Sequence, residues 1–375
     1  MKFAILGSRG LDSTYSGYET LVRHLAPYLV GAGHDVTVYG RRRNRGRAAW
    51  MQEGARCIAT PGLDTKSLST LSFGLSSTLD ALFRGFDAVL VLNIANGFWL
   101  PLLRVAGVPT AVNTDGLEWQ RGKWNRVAKA AFLAAARLTA THATEVIADS
   151  TAMGDIWRAK FGRASTFIPY GAPVLPKVDD HELQRLGLAD RPFLLSVARL
   201  VPENNVDLTL DALDLMDGER PVAVIVGSGV GEPAVEARLR ELQARGRVLW
   251  LGHVDDQELL DQLWGNCSVY VHGHSVGGTN PSLLQALGAG APTLALDTPF
   301  NAEVLRDRRH LYDLSPEALA GRIAEVLRSE ELRAELAGSG RREVEERYAW
   351  EDVCRGYLTV LERLGRSRRD GSSRR

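Results

Sequence analysis

Short, continuously apolar runs alternate with amphipathic stretches along the first half of the chain. Runs of this kind predict strands of a parallel sheet that is covered on both faces. The predicted strands are Lys2–Gly7, Asp35–Tyr39, Asp87–Asn93, Thr110–Asn113, Val146–Ala148 and Thr166–Pro169. The amphipathic stretches between several of them predict helices, including Tyr18–Val30, Lys66–Phe83 and Lys123–Thr141. The alternation predicts a doubly wound α/β domain over residues 1–172.

The same pattern restarts in the second half of the chain. Its predicted strands are Phe193–Val197, Val222–Val226, Val248–Leu251, Val269–His272 and Thr293–Leu296. Its predicted helices are Val206–Met216, Glu232–Arg245, Asp256–Trp264, Pro281–Leu287, Glu317–Arg328, Glu331–Glu346 and Trp350–Leu364. We therefore expect a second doubly wound domain over residues 192–349, after a linker at 173–191. Residues 350–365 are expected to form a helix that could return to the first domain, and the Ser/Arg/Gly-rich residues 366–375 a disordered tail.

Charge is balanced overall but unevenly distributed. The 375 residues include 45 basic and 45 acidic side chains, which argues against a nucleic-acid partner because such a partner favours a basic excess. Residues 1–172 hold 20 basic and 12 acidic side chains, whereas residues 173–375 hold 25 and 33. The basic half is expected to face an anionic surface, and unevenly charged solvated faces are the alternative.

Cysteine usage and hydropathy favour the cytoplasm. Cys57, Cys267 and Cys354 are odd in number and far apart, so they predict neither a disulfide framework nor a metal site. The longest uncharged stretch, 262–296, is interrupted by Gly, Pro, His and Asn, and does not predict a membrane-spanning helix. We expect a cytoplasmic protein, either free or peripheral on the inner face of the cell membrane.

Two doubly wound domains of similar size imply a cleft, and ligands of such sheets bind outside the carboxyl ends of the strands. The first strand is followed by Gly7-Ser8-Arg9-Gly10, where glycines would let backbone N–H groups approach a phosphate or a sugar. This loop lacks the G-x-G-x-x-G spacing of a dinucleotide site, and a turn without a ligand is the alternative. The loop at 113–124 concentrates carboxylates, cations and tryptophans, which favours function over a merely capped helix start.

In the second half, Arg199 lies between a strand and a helix, where its guanidinium could hold a diphosphate through paired donors. A surface ion pair with Glu203 is the alternative. Further along, Gly277 and Gly278 precede a helix whose first turn contains Pro281, which predicts exposed N–H donors at the helix N-terminus.

The same loop argues against a metal ion. It has no nearby acidic residue, so we expect no Mg²⁺ there, because Mg²⁺ prefers oxygen ligands. His272 and His274 alone form a weak metal-site pattern.

The helix predicted after the loop at 113–124 is amphipathic. One side carries Lys123, Arg126, Lys129 and Arg137, and the other carries Trp124, Val127, Ala128, Ala131 and Leu138. The basic side, together with the run Arg41–Arg45, could contact anionic lipid headgroups, and a solvated face is the alternative.

Two segments carry a resemblance to a known family: Ala198-Arg199-Leu200-Val201-Pro202-Glu203-Asn204-Asn205 and Gly277-Gly278-Thr279-Asn280-Pro281-Ser282-Leu283-Leu284. They resemble retaining, nucleotide-sugar-dependent glycosyltransferases of the GT-B fold, of the family 4 type. Gly7–Gly10 with Gly17-Tyr18-Glu19-Thr20, and Asp115-Gly116-Leu117-Glu118-Trp119, are similar to the bacterial branch that includes β-1,4-rhamnosyltransferases of capsule and exopolysaccharide assembly. The resemblance implies two Rossmann-like domains that face each other across a cleft.

The resemblance also implies roles for matching residues. Catalytic roles are implied for Arg199, which would hold the donor diphosphate, and for Asp115, which stands where many relatives place a histidine that contacts the transferred sugar. The residues implied to bind the donor are Arg199, Asn204, Asn205, Gly277, Gly278, Thr279, Asn280 and Gln285. The residues implied to bind the acceptor are Gly10, Tyr15, Gly17, Glu19, Glu118, Trp119 and Lys123.

The chain departs from the family pattern in two places. Asn204-Asn205 stand where many relatives have a lysine, and Gly277 and Gln285 stand where relatives carry two glutamates. In relatives the second glutamate binds ribose hydroxyls, so Gln285 favours a deoxyribose nucleotide such as dTDP.

The implied activity is metal-independent, retaining sugar transfer that needs no cofactor. A dTDP-sugar, with rhamnose as the favoured sugar, is the expected donor, and UDP and GDP remain open; the expected acceptor is a lipid-linked saccharide. The alternatives are a nicotinamide-dependent oxidoreductase, a non-catalytic nucleotide-sugar-binding protein and a GT-B nucleotide-sugar epimerase.

Overall fold

A computed structural model describes residues 1–13, 17–41, 49–63, 65, 68–114, 116–121, 124–176, 178–189, 191–216, 221–229 and 233–372. Three predicted site residues, Tyr15, Asp115 and Lys123, lie outside the described residues. The basic run Arg41–Arg45 is described only at Arg41. The chain forms two compact units. Unit 1 comprises Met1–Trp119, Trp124–Tyr170 and Trp350–Arg375, and unit 2 comprises Gln120–Lys123 and Gly171–Ala349.

Unit 1 is built on an eight-stranded sheet. Its strands are β1 (Lys2–Leu6), β2 (Asp35–Arg41), β3 (Ala49–Gln52), β4 (Ala55–Thr60), β5 (Ala88–Leu92), β6 (Thr110–Asn113), β7 (Glu145–Ala148) and β8 (Thr166–Phe167). Their spatial order is β3-β4-β2-β1-β5-β6-β7-β8. The helices are α1 (Gly17–Gly31), α2 (Ser69–Leu82), α3 (Leu100–Val105), α4 (Arg126–His142) and α5 (Thr151–Phe161), with a 3₁₀ helix at Ile94–Trp99.

Unit 2 is built on a six-stranded, all-parallel sheet. Its strands are β9 (Phe193–Val197), β10 (Val222–Val226), β11 (Val248–Gly252), β12 (Val269–His272), β13 (Thr293–Leu296) and β14 (Leu311–Tyr312). Their spatial order is β11-β10-β9-β12-β13-β14. The helices are α6 (His181–Arg185), α7 (Val206–Leu215), α8 (Pro233–Ala244), α9 (Gln257–Asn266), α10 (Pro281–Gly288), α11 (Pro299–Leu305), α12 (Pro316–Arg328) and α13 (Glu330–Arg347). The last helix of the chain, α14 (Trp350–Ser372), belongs to unit 1.

The two predicted doubly wound sheets are confirmed. Central strands such as β5 are buried along their whole length, because helices cover both faces of a parallel sheet. The sequence did not predict the β3–β4 hairpin, which is the one antiparallel pair of the described strands. Its turn places Glu53 at φ +49° and Gly54 at φ +77°, and glutamate is not the Asn or Asp that usually marks such a turn.

Helix α4 is fully buried only in its second half, and not along the whole apolar side that its periodicity indicated. Val127 is 78% exposed, and the residues of α4 that are buried are Ala135, Ala136 and Thr139. The cause is a tertiary contact, because the second half of α4 packs on the 3₁₀ helix at Gly97. A Cβ atom there would lie 2.3 Å from the Ala135 carbonyl oxygen. The first half extends past this contact, and Val127 and Ala131 are exposed there.

The predicted disordered tail is wrong for residues 366–372, which continue α14. Arg369 donates from Nε to Asp87 Oδ1 at 2.9 Å and from Nη2 to Asp87 Oδ2 at 2.6 Å. Arg368 donates to the carbonyl oxygen of Phe86. The guanidinium of Arg369 lowers the pKa of Asp87 by hydrogen bonding to its carboxylate. The polar residues 366–372 thus have a tertiary partner that their composition did not reveal.

Within the described residues, none of the helices has both the length and the apolarity needed to cross a membrane.

We predict that Gly97→Ala destabilises the protein by about 1–3 kcal/mol, because the new methyl group must displace the α4 backbone or Thr139, whose Oγ1 would lie 2.5 Å away. Gly321→Ala is the matched control: nothing lies within 4 Å of a Cβ there, and alanine favours a helix. Urea unfolding followed by circular dichroism measures both variants. Equal unfolding midpoints for the two variants would contradict the packing argument.

Candidate functional site in unit 2

The order in which the chain adds strands to the sheet of unit 2 reverses between β9 and β12. These strands are neighbours, yet the chain adds β10 and β11 on one side of β9 and β13 and β14 on the far side of β12. Ligands of doubly wound sheets bind at such a switch point, outside the carboxyl ends of the strands. Two predicted loops flank it: the Arg199 loop (198–205) after β9 and the glycine loop (273–280) after β12.

The structure joins these two loops directly. Asn205 Nδ2 donates to the Gly273 carbonyl oxygen at 2.7 Å. The N–H and the hydroxyl of Ser275 both donate to the Glu203 carbonyl oxygen at 2.9 Å. A Cβ at residue 273 would lie 2.5 Å from the Asn204 carbonyl oxygen, so glycine is required for this approach. The two loops expected to hold a donor are therefore hydrogen-bonded to each other in unit 2.

Arg199 lies exposed on this surface. Its carbonyl oxygen accepts from Asn204 Nδ2 at 2.9 Å, which fixes the backbone from which the guanidinium extends. The alternative surface pair with Glu203 does not form. Glu203 is 9% exposed, and its carboxylate has no hydrogen-bond partner among the described residues. The Arg199 charge is thus not paired with the carboxylate nearest to it in sequence.

The predicted donor-binding asparagines have structural tasks. Asn204 and Asn205 donate from their amides to backbone carbonyls of the two loops, as described above. Asn280 caps α10: its Oδ1 accepts from the Ser282 N–H at 3.0 Å and from the Ser282 hydroxyl at 2.9 Å. The prediction of exposed N–H donors is therefore wrong at Ser282, because the Asn280 side chain accepts the hydrogen bond of that N–H. Direct contact of these asparagines with a donor stays a prediction.

The open part of the glycine loop is its turn. Gly277 has φ +141° and no atom within 4 Å of the place where a Cβ would stand, so backbone approach is unobstructed. Gly278 and Thr279 follow it and are buried. Gly277 is therefore the open backbone position of this turn, beside the exposed Arg199 in the predicted phosphate site.

Gln285, on α10, contacts Gln257 of α9, a residue that the sequence analysis did not identify. Gln257 Nε2 donates to Gln285 Oε1 at 3.4 Å and to Asp261 Oδ1 at 2.7 Å. The Gln285 carbonyl thereby accepts one long hydrogen bond from α9. Only the tertiary structure brings α9 against α10 and reveals this chain of amides.

The histidine pair that made a weak metal pattern is stacked and uncharged. The rings of His272 and His274 have centroids 4.2 Å apart and lie 9° from parallel. Burial lowers the pKa of His272 to about 3, and the pKa of His274 falls through burial, His272 and the nearby guanidinium groups of Arg199 and Arg121. No group of three His, Cys, Asp or Glu side chains in the described chain could hold a metal ion.

The described acceptor residues of the prediction, Gly10, Gly17, Glu19, Glu118 and Trp119, lie in unit 1, and several are engaged in packing. Glu19 is 3% exposed and accepts the Arg9 N–H at 2.9 Å, which orients the loop that contains Gly10. Glu118 accepts the Trp124 indole N–H at 2.5 Å. Trp119 packs edge-on against Trp157 and Phe161 of α5. Gly17 is the first residue of α1.

The buried histidine predicts a loss of stability in acid. The native pKa of His272, about 3, lies below the ordinary value of 6.5, so the unfolded chain binds more protons between these values. Stability is therefore full above pH 6.5 and falls as the pH drops toward 3. From pH 7 to pH 5 the loss due to His272 is about 2 kcal/mol.

The variant His272→Asn keeps an amide near Tyr270, whose hydroxyl lies 3.2 Å from His272 Nδ1, but cannot titrate. We expect urea denaturation at pH 7 and pH 5 to show a smaller acid loss in this variant by about that amount. The same acid loss in wild type and variant would show that His272 does not control it.

Comparisons with known proteins agree with this architecture. Residues 16–171 match the model of the glycosyl transferase 4-like domain, and residues 179–343 match the model of glycosyl transferases group 1. The chain is 24% identical over 189 residues to the UDP-N-acetylglucosamine–peptide N-acetylglucosaminyltransferase GtfA subunit of Streptococcus pneumoniae. That match covers 46% of this chain and only 35% of the GtfA subunit.

Solved structures show the same fold. Sucrose-phosphate synthase from Thermosynechococcus elongatus superposes with a TM-score of 0.84 at 17% identity, covering 98% of this chain and 100% of that one. HepE from Anabaena, in complex with UDP-glucose, has a TM-score of 0.76 at 16% identity, covering 96% and 99%. The domain matches favour sugar transfer over the nicotinamide-dependent alternative. The chain thus consists of a glycosyl transferase 4-like domain followed by a glycosyl transferases group 1 domain, in the GT-B fold.

Proposed function

We propose that this protein is a metal-independent, retaining glycosyltransferase that moves a sugar from a nucleotide diphosphate to a saccharide acceptor. The observation that carries the proposal is the hydrogen-bonded junction of the Arg199 loop and the glycine loop at the switch point of unit 2. It combines a guanidinium with an accessible glycine turn, and both favour a diphosphate. The matched group 1 domain covers both loops.

The charges around the junction suit an anionic leaving group. The guanidinium groups of Arg199 and Arg121 both lie close enough to His274 to lower its pKa. His272 and His274 are neutral, so they do not repel a phosphate. Negative charge grows on the diphosphate as its bond to the sugar breaks, and fixed donors stabilise that charge in the transition state.

The proposed reaction replaces one bond at the anomeric carbon. The acceptor hydroxyl oxygen bonds to this carbon on the face that the diphosphate leaves, and the electron pair of the broken bond stays on the diphosphate. The hydroxyl proton passes to a leaving phosphate oxygen, so no protein carboxylate has to act as a nucleophile. We assign Arg199 and Asp115 as catalytic residues, the first for the diphosphate and the second for contact with the transferred sugar.

We favour dTDP-rhamnose as the donor. Position 285 carries an amide, whose Oε1 lies 3.4 Å from Gln257 Nε2, so it offers one acceptor oxygen rather than the two carboxylate acceptors that would suit a ribose diol. A deoxyribose needs fewer acceptors. UDP and GDP sugars stay open, since the GtfA subunit is named for UDP-N-acetylglucosamine and the HepE structure contains UDP-glucose.

We assign the acceptor to unit 1, where the glycosyl transferase 4-like domain lies. The loop of Gly10, the start of α1 at Gly17 with Glu19, and the segment of Glu118 and Trp119 are the described parts of this assignment. A lipid-linked saccharide of surface polysaccharide assembly is the favoured acceptor, used at the cytoplasmic face of the membrane.

The activity test measures nucleotide release from dTDP-rhamnose, UDP-glucose and GDP-mannose in EDTA, with and without a lipid-linked saccharide extract. We expect release from the dTDP donor, dependent on the extract, and a product that keeps the anomeric configuration. Conversion of the donor sugar without any acceptor would instead establish an epimerase. Donor binding without release would establish a non-catalytic binding protein.

In the same assay, Arg199→Ala is expected to lower kcat/KM by an amount equivalent to about 2–4 kcal/mol, the usual cost of losing one donor to a developing oxyanion. Arg245→Ala is the control, because Arg245 is an exposed arginine of the same unit paired with Glu241 on the helix surface. Unchanged turnover in Arg199→Ala would remove Arg199 from the mechanism.

We also propose that the basic first half of the chain contacts an anionic membrane surface. The start of α4 supports this, because a cation, Arg126, and an apolar side chain, Val127, are both exposed there. We expect the full chain to sediment with phosphatidylglycerol-containing vesicles at low salt and to be released at high salt. Absence of salt-sensitive binding would contradict the proposal.

A further inference from the structure

One side chain at the junction of the Arg199 loop and the glycine loop has no assigned contact with a ligand. His274 lies in the glycine loop between Gly273 and Ser275. Both of these neighbours are hydrogen-bonded to the Arg199 loop. The His274 carbonyl oxygen itself accepts from Asn301 Nδ2 at 3.1 Å. Hydrogen bonds on both sides and at its own carbonyl group therefore fix the backbone of His274.

The ring of His274 is held by a second, parallel ring. It stacks on His272, with 4.2 Å between the centroids and 9° between the planes. His272 is fully buried, and its Nδ1 lies 3.2 Å from the Tyr270 hydroxyl. That hydroxyl also donates to the Ser282 hydroxyl at 3.4 Å. The His274 ring is thus stacked on a residue of the core, which limits the directions that its nitrogens can face.

The two ring nitrogens of His274 form no hydrogen bond within the described part of the chain. Nδ1 is buried, and Nε2 is the ring nitrogen that is not. The residue as a whole is half-buried. A neutral imidazole has one N–H donor and one acceptor nitrogen, so this ring has hydrogen-bonding capacity left for a ligand.

The surroundings of the ring favour an anionic ligand. Burial lowers the pKa of His274, and His272, Arg199 and Arg121 lower it further. These three neighbours are neutral or cationic, so they do not repel an anion beside the ring. A neutral N–H next to a guanidinium forms a pair of donors that suits phosphate oxygens.

We propose that His274 binds the diphosphate of the nucleotide sugar, donating a hydrogen bond from its Nε2–H to a phosphate oxygen beside Arg199. This inference rests on the proposed function for the identity of the ligand. Stacking on His272 sets the direction of the donor before the ligand arrives, so little ordering of the ring opposes binding. Each of the two joined loops thus contributes one side chain to the diphosphate.

The binding test titrates the full chain with UDP, dTDP and GDP and with the matching nucleosides, which have no phosphate. We expect at least one diphosphate to bind and His274→Phe to weaken that binding at least 10-fold. Phenylalanine keeps an aromatic ring against His272 but has no N–H to donate to a charged oxygen. His181→Phe is the matched control, because His181 is an exposed histidine of the same unit, on α6.

Nucleoside binding separates a phosphate contact from a structural role. A phosphate contact leaves the nucleoside affinity and the urea unfolding midpoint of His274→Phe near those of wild type. A ring that only supports the loop would, when replaced, weaken nucleosides and diphosphates alike. His274→Gln should recover part of the diphosphate affinity, because its amide keeps an N–H donor.

A spectroscopic measurement on the wild-type chain does not depend on how a variant folds. In protein labelled with ¹⁵N-histidine, the side-chain signals of His274 are identified by their absence in His274→Gln. We expect the diphosphate that binds to shift these signals, and the matching nucleoside to leave them in place. The signals of His181 should not move with either ligand.

The outcomes separate this inference from the proposed function. Diphosphate binding that depends on His274 supports the contact even if no sugar is transferred. Equal diphosphate affinity in wild type and His274→Phe overturns the contact, as does an equal loss for nucleosides and diphosphates. An active transferase whose kcat and donor KM are unchanged in His274→Phe also overturns it and leaves the proposed function standing. A wild-type chain that binds none of the three diphosphates overturns both.

Discussion

The candidate site depends on the hydrogen-bonded junction between the Arg199 loop and the glycine loop. Asn205 holds the second loop through the Gly273 carbonyl oxygen, and Ser275 returns two hydrogen bonds to Glu203. Each such bond contributes only about 1 kcal/mol net, but together they hold the backbones of the two loops against each other. Because preorganised donors need no rearrangement when charge develops, this junction supports the proposal of an anionic leaving group.

The charge of the site depends on how deeply its ionisable side chains are buried as well as on which ones are present. His272 and His274 are stacked and neutral, because burial lowers the pKa of both, and Arg199 and Arg121 lower that of His274 further. Glu203 is buried in the same junction and points its carboxylate at no described partner. The exposed guanidinium of Arg199 thus remains the most accessible charged group of the Arg199 loop, which suits a ligand that supplies the counter-charge itself.

In unit 1 the important constraint is close backbone approach. Gly97 admits the backbone of α4, and Gly7 and Gly74 admit the buried amide of Asn96. The first approach buries the second half of α4, and the second places the Asn96 amide, whose Nδ2 donates to the Leu92 carbonyl oxygen at 2.8 Å, against Gly7 and Gly74. Glycine therefore acts here through the volume it leaves to its neighbours.

The sequence alone determined the two doubly wound sheets and the loops that meet at the switch point, because continuous apolar strands and local helix patterns depend on nearby residues. It did not determine which half of α4 is buried, the hairpin at Glu53, or the helical end of α14 with its Arg369–Asp87 pair. Likewise, only the tertiary structure showed that Asn204 and Asn205 hold the loops together and that Gln257 engages Gln285. Each of these features depends on a partner distant in sequence or on a neighbouring helix, and local periodicity carries no information about such partners.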